Sequence, residues 1–168
     1  FRVSLFGGGT DYPEWFTHHG GAVLGTTINR YCWITVRPPS PFGPKYKIVY
    51  NRVESVDRLD DIEHPAVREC LRYLNIDGAE IHHTSDLPAR SGVGSSSAFV
   101  VGLLKGLMKL KGHNTTFLWL AGESIHVERD ILRETVGCQD QYLCSLGGFR
   151  RINFSVDGIT TETVHIPK

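Results

Sequence analysis

The sequence predicts a two-layer α+β domain, in which strands and helices segregate along the chain. Segments with the alternation and the β-branched or aromatic residues of strands dominate the first half, and the two longest helical patterns lie in the second half. That order is typical of α+β domains. The 168 residues, 40% of them hydrophobic and 21% charged, suffice to bury a core of their own.

Several segments carry the residue pattern of strands. Asn29-Arg30 predicts a hairpin between the second and the third, and Asp157-Gly158 predicts another between the last two. The predicted strands are Arg2–Phe6, Ala22–Ile28, Tyr31–Arg37, Lys45–Tyr50, Ala79–Thr84, Phe149–Phe154 and Ile159–Ile166.

Helices are predicted where apolar residues recur at helical spacing between terminal signals. The longest begins within Ser95–Ser97, runs through Leu110 and stops near Gly112. The other predicted helices are Ala66–Leu74 after Pro65, about Thr115 to Leu132, and Cys138–Leu146. In the helix from Thr115, the predicted core positions are Leu118, Ala121, Ile125 and Val127.

Composition disfavours two classes of protein. The 18 basic and 18 acidic side chains balance, whereas a nucleic-acid binder needs a basic excess. No apolar run approaches the 18 residues typical of a membrane-spanning helix, and the first residues lack a signal-peptide pattern. Four scattered cysteines without a C-x-x-C pair indicate reduced thiols. We therefore expect a cytoplasmic protein with no nucleic-acid or membrane partner, whose natural N-terminus lies upstream of Phe1.

The segment Pro88-Ala89-Arg90-Ser91-Gly92-Val93-Gly94-Ser95-Ser96-Ser97-Ala98 precedes the longest predicted helix. Its glycines let the backbone approach a ligand, and the helix that follows directs free N–H groups at an anion. Serine hydroxyls can donate to phosphate oxygens or bind Mg²⁺. The loop lacks the lysine of a Walker A motif and the third glycine of a dinucleotide fingerprint. It predicts polyphosphate binding; the alternative is a loop that merely caps a helix.

This segment resembles the second motif of the GHMP kinases, the superfamily of galactokinase, homoserine kinase, mevalonate kinase and phosphomevalonate kinase. Two further segments agree in order and spacing. Arg2–Tyr12 is similar to the sugar-binding signature of galactokinase-like members, and Val136–Tyr142 is similar to the segment with the catalytic aspartate. The resemblance implies a mixed sheet packed on helices, as in domain 2 of ribosomal protein S5. It also implies that residues 1–168 form the N-terminal ATP-binding domain, with the C-terminal domain absent from this chain.

The particular residues in each motif narrow the resemblance to fewer members of the superfamily. Phe6-Gly7-Gly8-Gly9-Thr10-Asp11-Tyr12 departs from the Gly-Glu-His-Thr-Asp-Tyr of galactokinase, so two galactose-holding residues are absent. Together with Gly20–Leu24 and Gln139–Tyr142, it resembles the D-glycero-D-manno-heptose 7-phosphate kinases. That resemblance implies transfer of the γ-phosphoryl of Mg-ATP to the anomeric hydroxyl of a sugar phosphate. The alternatives are a fucokinase- or galactokinase-like enzyme, or a non-catalytic relative that only binds nucleotide or sugar.

The resemblance assigns residues to three groups of roles. Asp140 is the expected general base and Arg2 its neighbour, which keeps it ionised or stabilises charge on the phosphoryl group. The metal ligands are expected to be Ser96 and Glu128, with Ser95, Ser97 and Glu123 as alternatives. The expected ATP and phosphate contacts are Pro88, Ser91, Gly92, Val93, Gly94, Ser95, Ser96 and Ser97. The expected sugar contacts are Gly8, Gly9, Thr10, Asp11 and Tyr12.

Other positions stay open. A substrate phosphate would need a cation, and the sequence does not rank its arginines. Trp33 and Tyr46 are candidate adenine neighbours, although aromatic residues on strands are more often core. His18-His19 and His82-His83 are expected at surface or supporting positions, without metal. The candidate phosphate-binding arginines are Arg30, Arg90, Arg150 and Arg151. We expect weak catalysis by this chain alone, because one wall of the sugar site would be missing.

Overall fold

The computed structural model describes residues 1–88 and 91–166, and within them the chain forms an α+β domain, as predicted. The described strands are β1 (Arg2–Phe6), β2 (Gly21–Thr27), β3 (Cys32–Arg37), β4 (Tyr46–Val49), β5 (Val53–Val56), β6 (Ala79–Ser85), β7 (Phe149–Ser155) and β8 (Gly158–Thr163). The described α-helices are α1 (Pro13–His19), α2 (Pro65–Tyr73), α3 (Ser95–Leu110), α4 (Phe117–Ile125) and α5 (Gln139–Leu146). A 3₁₀ turn covers Leu59–Asp61, and a π-helical segment covers His126–Ile131.

The described strands form two sheets of four strands each. The first sheet has the order β1-β2-β7-β8 and is antiparallel throughout. The second sheet has the order β3-β6-β4-β5 and is mixed, because β4 and β6 run parallel. The predicted β7–β8 hairpin is confirmed, with its turn at Val156-Asp157 and Gly158 as the first residue of β8.

The predicted hairpin at Asn29-Arg30 is wrong. Strand β2 pairs with β1 on one side and with β7 on the other, so neither of its edges is free for β3. The chain instead crosses to the second sheet, where β3 pairs with β6. The crossing is fixed at both ends, since the Ile28 N–H donates to the Phe1 carbonyl and the Tyr31 N–H donates to Asp86 Oδ2 at 2.8 Å.

Each sheet carries its own hydrophobic core. The larger core lies between the second sheet and helices α2 and α3, around fully buried Ile81, Leu103 and Leu104. The smaller core joins the first sheet to α1 and α5, around Leu143 and Ile152. Helix α5 also packs against α3 and α4, so it holds the two layers together. None of the described helices is long and apolar enough to cross a membrane.

Two elements escaped the sequence analysis, α1 and β5. Helix α1 has seven residues, starts at Pro13 and buries Phe16, which is too short for a periodic signal. Strand β5 has four residues and pairs along one edge with β4.

The predicted helix from Thr115 to Leu132 divides into α4 and the π-helical segment. Thr116 caps α4, and its Oγ1 accepts the Trp119 N–H at 3.1 Å. Helix α4 packs through Leu120, Ala121 and Ser124, so Leu118 faces outward and is 57% exposed. The prediction of Leu118 as core is therefore wrong, whereas those of Ala121 and Val127 are confirmed.

Helix α3 approaches strand β3 through glycine. A Cβ on Gly106 would lie 2.7 Å from Cγ2 of Val36, a β-branched side chain that cannot swing away. Gly122 of α4 is exposed, and a Cβ there would meet nothing within 4 Å.

We expect Gly106→Ala to lower the free energy of unfolding by about 1–2 kcal/mol, because overpacking outweighs the gain in helix propensity. The matched change Gly122→Ala should raise it by up to about 1 kcal/mol, through propensity alone. Urea unfolding of both variants measures the difference. Stabilisation by both changes would contradict the close approach of α3 to β3.

Candidate active site

Arg2 joins the N-terminal strand to the catalytic candidate Asp140. Its Nε donates to Asp140 Oδ1 at 2.6 Å and its Nη2 donates to Oδ2 at 2.7 Å, which makes a bidentate ion pair. The two side chains are only 14% and 22% exposed. The remaining terminal nitrogen, Nη1, donates to the Gly92 carbonyl at 2.9 Å, and the Arg2 backbone N–H donates to the Val93 carbonyl at 3.1 Å. The first strand, the segment Ser91–Gly94 before α3 (the Gly-Ser loop) and helix α5 therefore meet at one side chain.

The Gly-Ser loop leads into α3 through left-handed glycines. Gly92 and Gly94 have φ of 74° and 72°, and a Cβ on Gly94 would lie 3.0 Å from the Arg2 side chain. No described side chain caps α3, so its first N–H groups are available to an anion. Ser91 Oγ donates to the Pro88 carbonyl at 2.8 Å. Ser96 is exposed at the start of the helix, whereas Ser97 is buried.

Asp11 ties the glycine loop after β1 to the start of α5. The side chain is fully buried, and its Oδ1 and Oδ2 accept the N–H groups of Gly9 and Gln139, each at 3.1 Å. The Asp11 carbonyl also accepts the Cys138 N–H. Gly137 is required here, because a Cβ would come 1.9 Å from Asp11 Oδ2. These contacts give Asp11 a linking role, and its predicted contact with a sugar stays a prediction.

The other predicted sugar contacts flank Asp11. Gly8 and Gly9 are exposed at the tip of the loop. Thr10 Oγ1 donates to the Gly7 carbonyl at 2.8 Å and accepts the Ala22 N–H at 3.1 Å, so it fixes the loop against β2. The Tyr12 carbonyl accepts the first N–H groups of α1. The loop is therefore rigid, with backbone rather than side chains at its exposed tip.

Glu128 is fully buried in the π-helical segment, behind the start of α3. Ser97 Oγ lies 3.0 Å from each of its carboxylate oxygens, and Gln141 Nε2 donates to Oε2. Burial raises the pKa of the Glu128 carboxyl to about 7. The hydroxyl in contact with Glu128 is thus that of Ser97, an alternative in the sequence analysis, and not that of exposed Ser96. The part played by Gln141 was not foreseen, because a buried amide leaves no pattern in the sequence.

The donor set around Glu128 fits Mg²⁺. A carboxylate and serine hydroxyls are hard oxygen donors, and Mg²⁺ takes one or two of these alongside substrate phosphates. Glu123 lies elsewhere and accepts the Tyr73 hydroxyl. Within residues 1–88 and 91–166, no three His, Cys, Asp or Glu side chains group as a metal site. The metal assignment therefore rests on Glu128 and its serine neighbours and stays a prediction.

A cavity of about 430 Å³ opens beside Ser95 and Ser96. His64 stacks on Phe99 with ring centroids 5.0 Å apart, and His83 meets Phe99 edge-on at 4.9 Å. Burial lowers the pKa of both histidines, which favours their neutral, stacking forms. This aromatic cavity was missed, because its three rings come from α2, β6 and α3. Of the predicted adenine neighbours, Tyr46 is in the core and Trp33 is 57% exposed.

The candidate arginines have local roles. Arg150 donates to the carbonyls of Leu146 and Gly147 at the end of α5, and Arg30 donates to the Asn29 carbonyl. Arg151 is exposed on β7, and Arg90 lies outside the described residues.

Residues 62–148, more than half of the chain, match the family described as the GHMP kinases N terminal domain. The chain therefore belongs to the GHMP kinases, and the resemblance stated from its three motifs is confirmed.

The relatives and solved structures that the chain resembles include proteins named as sugar kinases. The chain is 29% identical to D-glycero-alpha-D-manno-heptose 7-phosphate kinase of Campylobacter jejuni, over 91% of this chain and 48% of that protein. A D-glycero-D-manno-heptose 1-phosphate kinase from Bacteroides thetaiotaomicron has a similar fold, with a TM-score of 0.88 and 24% identity over 99% of this chain and 58% of that one. Galactokinase from Lactococcus lactis, complexed with galactose, gives a TM-score of 0.76 and 20% identity over 99% and 45%. The chain spans about half the length of these relatives.

The buried carboxyl of Glu128 predicts a pH-dependent stability. Because its pKa is raised from 4.5 to about 7, the folded state holds a proton that the unfolded state has lost between these pH values. The stability that the Glu128 carboxyl contributes is fully present below pH 4.5, falls as the pH rises from 4.5 to 7, and is lost above pH 7.

We expect Glu128→Gln, which has no charge to bury, to stabilise the protein relative to the wild type more at pH 8 than at pH 5. The gain between the two pH values should be about 3 kcal/mol. Urea unfolding at both pH values measures it, with Glu162→Gln on exposed β8 as the matched control. An equal difference at both pH values would contradict the raised pKa.

Proposed function

We propose that the chain is the nucleotide-binding half of an ATP-dependent sugar kinase, which transfers the γ-phosphoryl of Mg-ATP to the anomeric hydroxyl of a sugar phosphate. The observation that carries the proposal is the bidentate pair of Arg2 and Asp140, which also hydrogen bonds to the Gly-Ser loop. A general base is thereby fixed beside a helix N-terminus suited to phosphate. Phosphoryl transfer depends mainly on such positioning and on charge stabilisation.

The phosphates and the base of ATP would bind at two neighbouring places along α3. Its phosphates would receive hydrogen bonds from the free N–H groups of the first turn and from the exposed Ser96 hydroxyl. Its base would fill the neighbouring cavity, where His64, His83 and Phe99 offer aromatic faces. The two subsites share Ser95 and Ser96, so one nucleotide could span both.

Mg²⁺, when bound, would neutralise charge on the transferring phosphates, and Glu128 with the serines of α3 would hold it. Asp140 would orient the acceptor hydroxyl and accept its proton. Arg2 would keep the Asp140 carboxylate in place through two hydrogen bonds and present positive charge towards the phosphates.

The acceptor that we propose is D-glycero-D-manno-heptose 7-phosphate. The Campylobacter jejuni relative is named for a heptose 7-phosphate and the Bacteroides structure for a heptose 1-phosphate kinase, so both concern phosphorylated heptose. The exposed backbone of Gly8 and Gly9 would form the floor of the sugar site, and a Cβ on Gly8 would lie 3.8 Å from Nε2 of Gln139, the residue before Asp140. We further propose that a C-terminal domain, such as the other half of these relatives, completes the site. A cytoplasmic location stays a prediction.

The test is mass-resolved phosphoryl transfer from Mg-ATP to heptose 7-phosphate, fucose, galactose and mannose. The 168-residue chain and any longer protein that contains it should be assayed together, and we expect weak or no turnover by the 168-residue chain alone. In the longer protein, a bisphosphate product from heptose 7-phosphate is expected. Asp140→Asn should lower its rate by at least about 100-fold.

Asp157→Asn, the same charge change in the exposed turn of the β7–β8 hairpin, is the matched control and should have no effect. Full turnover by the Asp140→Asn protein would contradict the assignment of Asp140 as the general base. Transfer to fucose or galactose instead would overturn the heptose assignment but support the sugar-kinase activity. Transfer to none of the four sugars would contradict both the heptose assignment and the sugar-kinase activity.

A further inference from the structure

Three buried side chains meet behind the Gly-Ser loop: Ser97, Glu128 and Gln141. They are 3%, 0% and 0% exposed, and they come from α3, the π-helical segment and α5. Ser97 donates to the Glu128 carboxylate from one direction, and the Gln141 amide donates to Oε2 from another. The carboxylate is therefore held by donors from two helices.

At this position, Gln141 should make the folded state less stable than an apolar side chain would. Its Nε2 donates to Glu128, but its buried Oε1 has no hydrogen-bond partner among the described residues. A buried acceptor without a partner is destabilising, whereas an apolar side chain of similar size would avoid that cost. The amide is thus fixed in one orientation by a single contact, the one to Glu128.

Gln141 also follows Asp140 directly on α5. Consecutive residues of an α-helix point about 100° apart, so one helical turn can serve two neighbouring sites. Here Asp140 faces Arg2 and the Gly-Ser loop, while Gln141 faces Glu128. A rotation or shift of this turn would therefore move Asp140 and the amide that donates to Glu128 together.

We propose that Gln141 is a positioning residue for Mg²⁺: it orients the Glu128 carboxylate and ties it to the helical turn that carries Asp140. The inference rests on the proposed function, in which Glu128 is a metal ligand. Residues that hydrogen bond to metal-ligating carboxylates typically contribute about 10- to 100-fold in metal affinity. The structure assigns that part to an amide that makes no other hydrogen bond among the described residues.

The test is binding of a non-hydrolysable ATP analogue, titrated first without divalent metal and then with MgCl₂. In the wild type, Mg²⁺ should tighten binding of the analogue. Gln141→Leu should leave the metal-free affinity unchanged and need at least about 10-fold more Mg²⁺ for half of the effect. Gln141→Met, an adaptable side chain that also lacks the donor, gives the same measurement if the leucine variant does not fold.

Two controls separate the outcomes. Ser145→Ala lies one turn further along α5 and removes a buried hydroxyl without a described partner, so it should change neither titration. Glu128→Gln should abolish the Mg²⁺ effect. If it does so while Gln141→Leu and Gln141→Met titrate like the wild type, the positioning role is overturned and the metal ligand stands. If Glu128→Gln keeps the Mg²⁺ effect, the metal assignment itself falls, and the role of Gln141 falls with it.

Discussion

The candidate site depends on the ion pair between Arg2 and Asp140. Arg2 belongs to the first sheet, the Gly-Ser loop leads into the helix that covers the second sheet, and Asp140 begins the helix between the two layers. The guanidinium reaches all three, with two donors on the carboxylate and a third on the Gly92 carbonyl. Removing either side chain would leave a largely buried charge without its partner, which is costly. The geometry of the site is therefore coupled to the packing of the layers.

Glycines make this convergence sterically feasible. Gly94 lets the Gly-Ser loop lie against Arg2, and Gly137 leaves room for the Asp11 carboxylate that holds Gln139. Both contacts are too close for a Cβ without movement of a charged side chain. The backbone thus approaches the charged groups directly. Under the proposed function, a backbone held this closely would lose little conformational entropy when a ligand binds.

Much of the fold could be predicted from the sequence, because strand alternation and helical spacing are local signals. The failures arise from contacts that are distant in sequence. Strand β2 has two partners elsewhere, so the segment at Asn29-Arg30 joins two sheets. Helix α4 packs through Leu120 and Ala121, which leaves Leu118 exposed. In the site, the motifs indicated Arg2, Asp140 and Glu128. They did not indicate the contact of Ser97 with Glu128 or the amide of Gln141, because burial and side-chain direction depend on how three elements pack. The aromatic cavity was missed for the same reason.

The most direct test of the account is a crystal structure of the protein with Mg²⁺, a non-hydrolysable ATP analogue and heptose 7-phosphate. We predict the phosphates at the first turn of α3, the base in the cavity lined by His64, His83 and Phe99, and the anomeric hydroxyl within hydrogen-bond distance of Asp140. A nucleotide bound instead in the larger cavity of about 630 Å³ beside Tyr73 and Trp119 would contradict the account, since that cavity includes none of the predicted site residues.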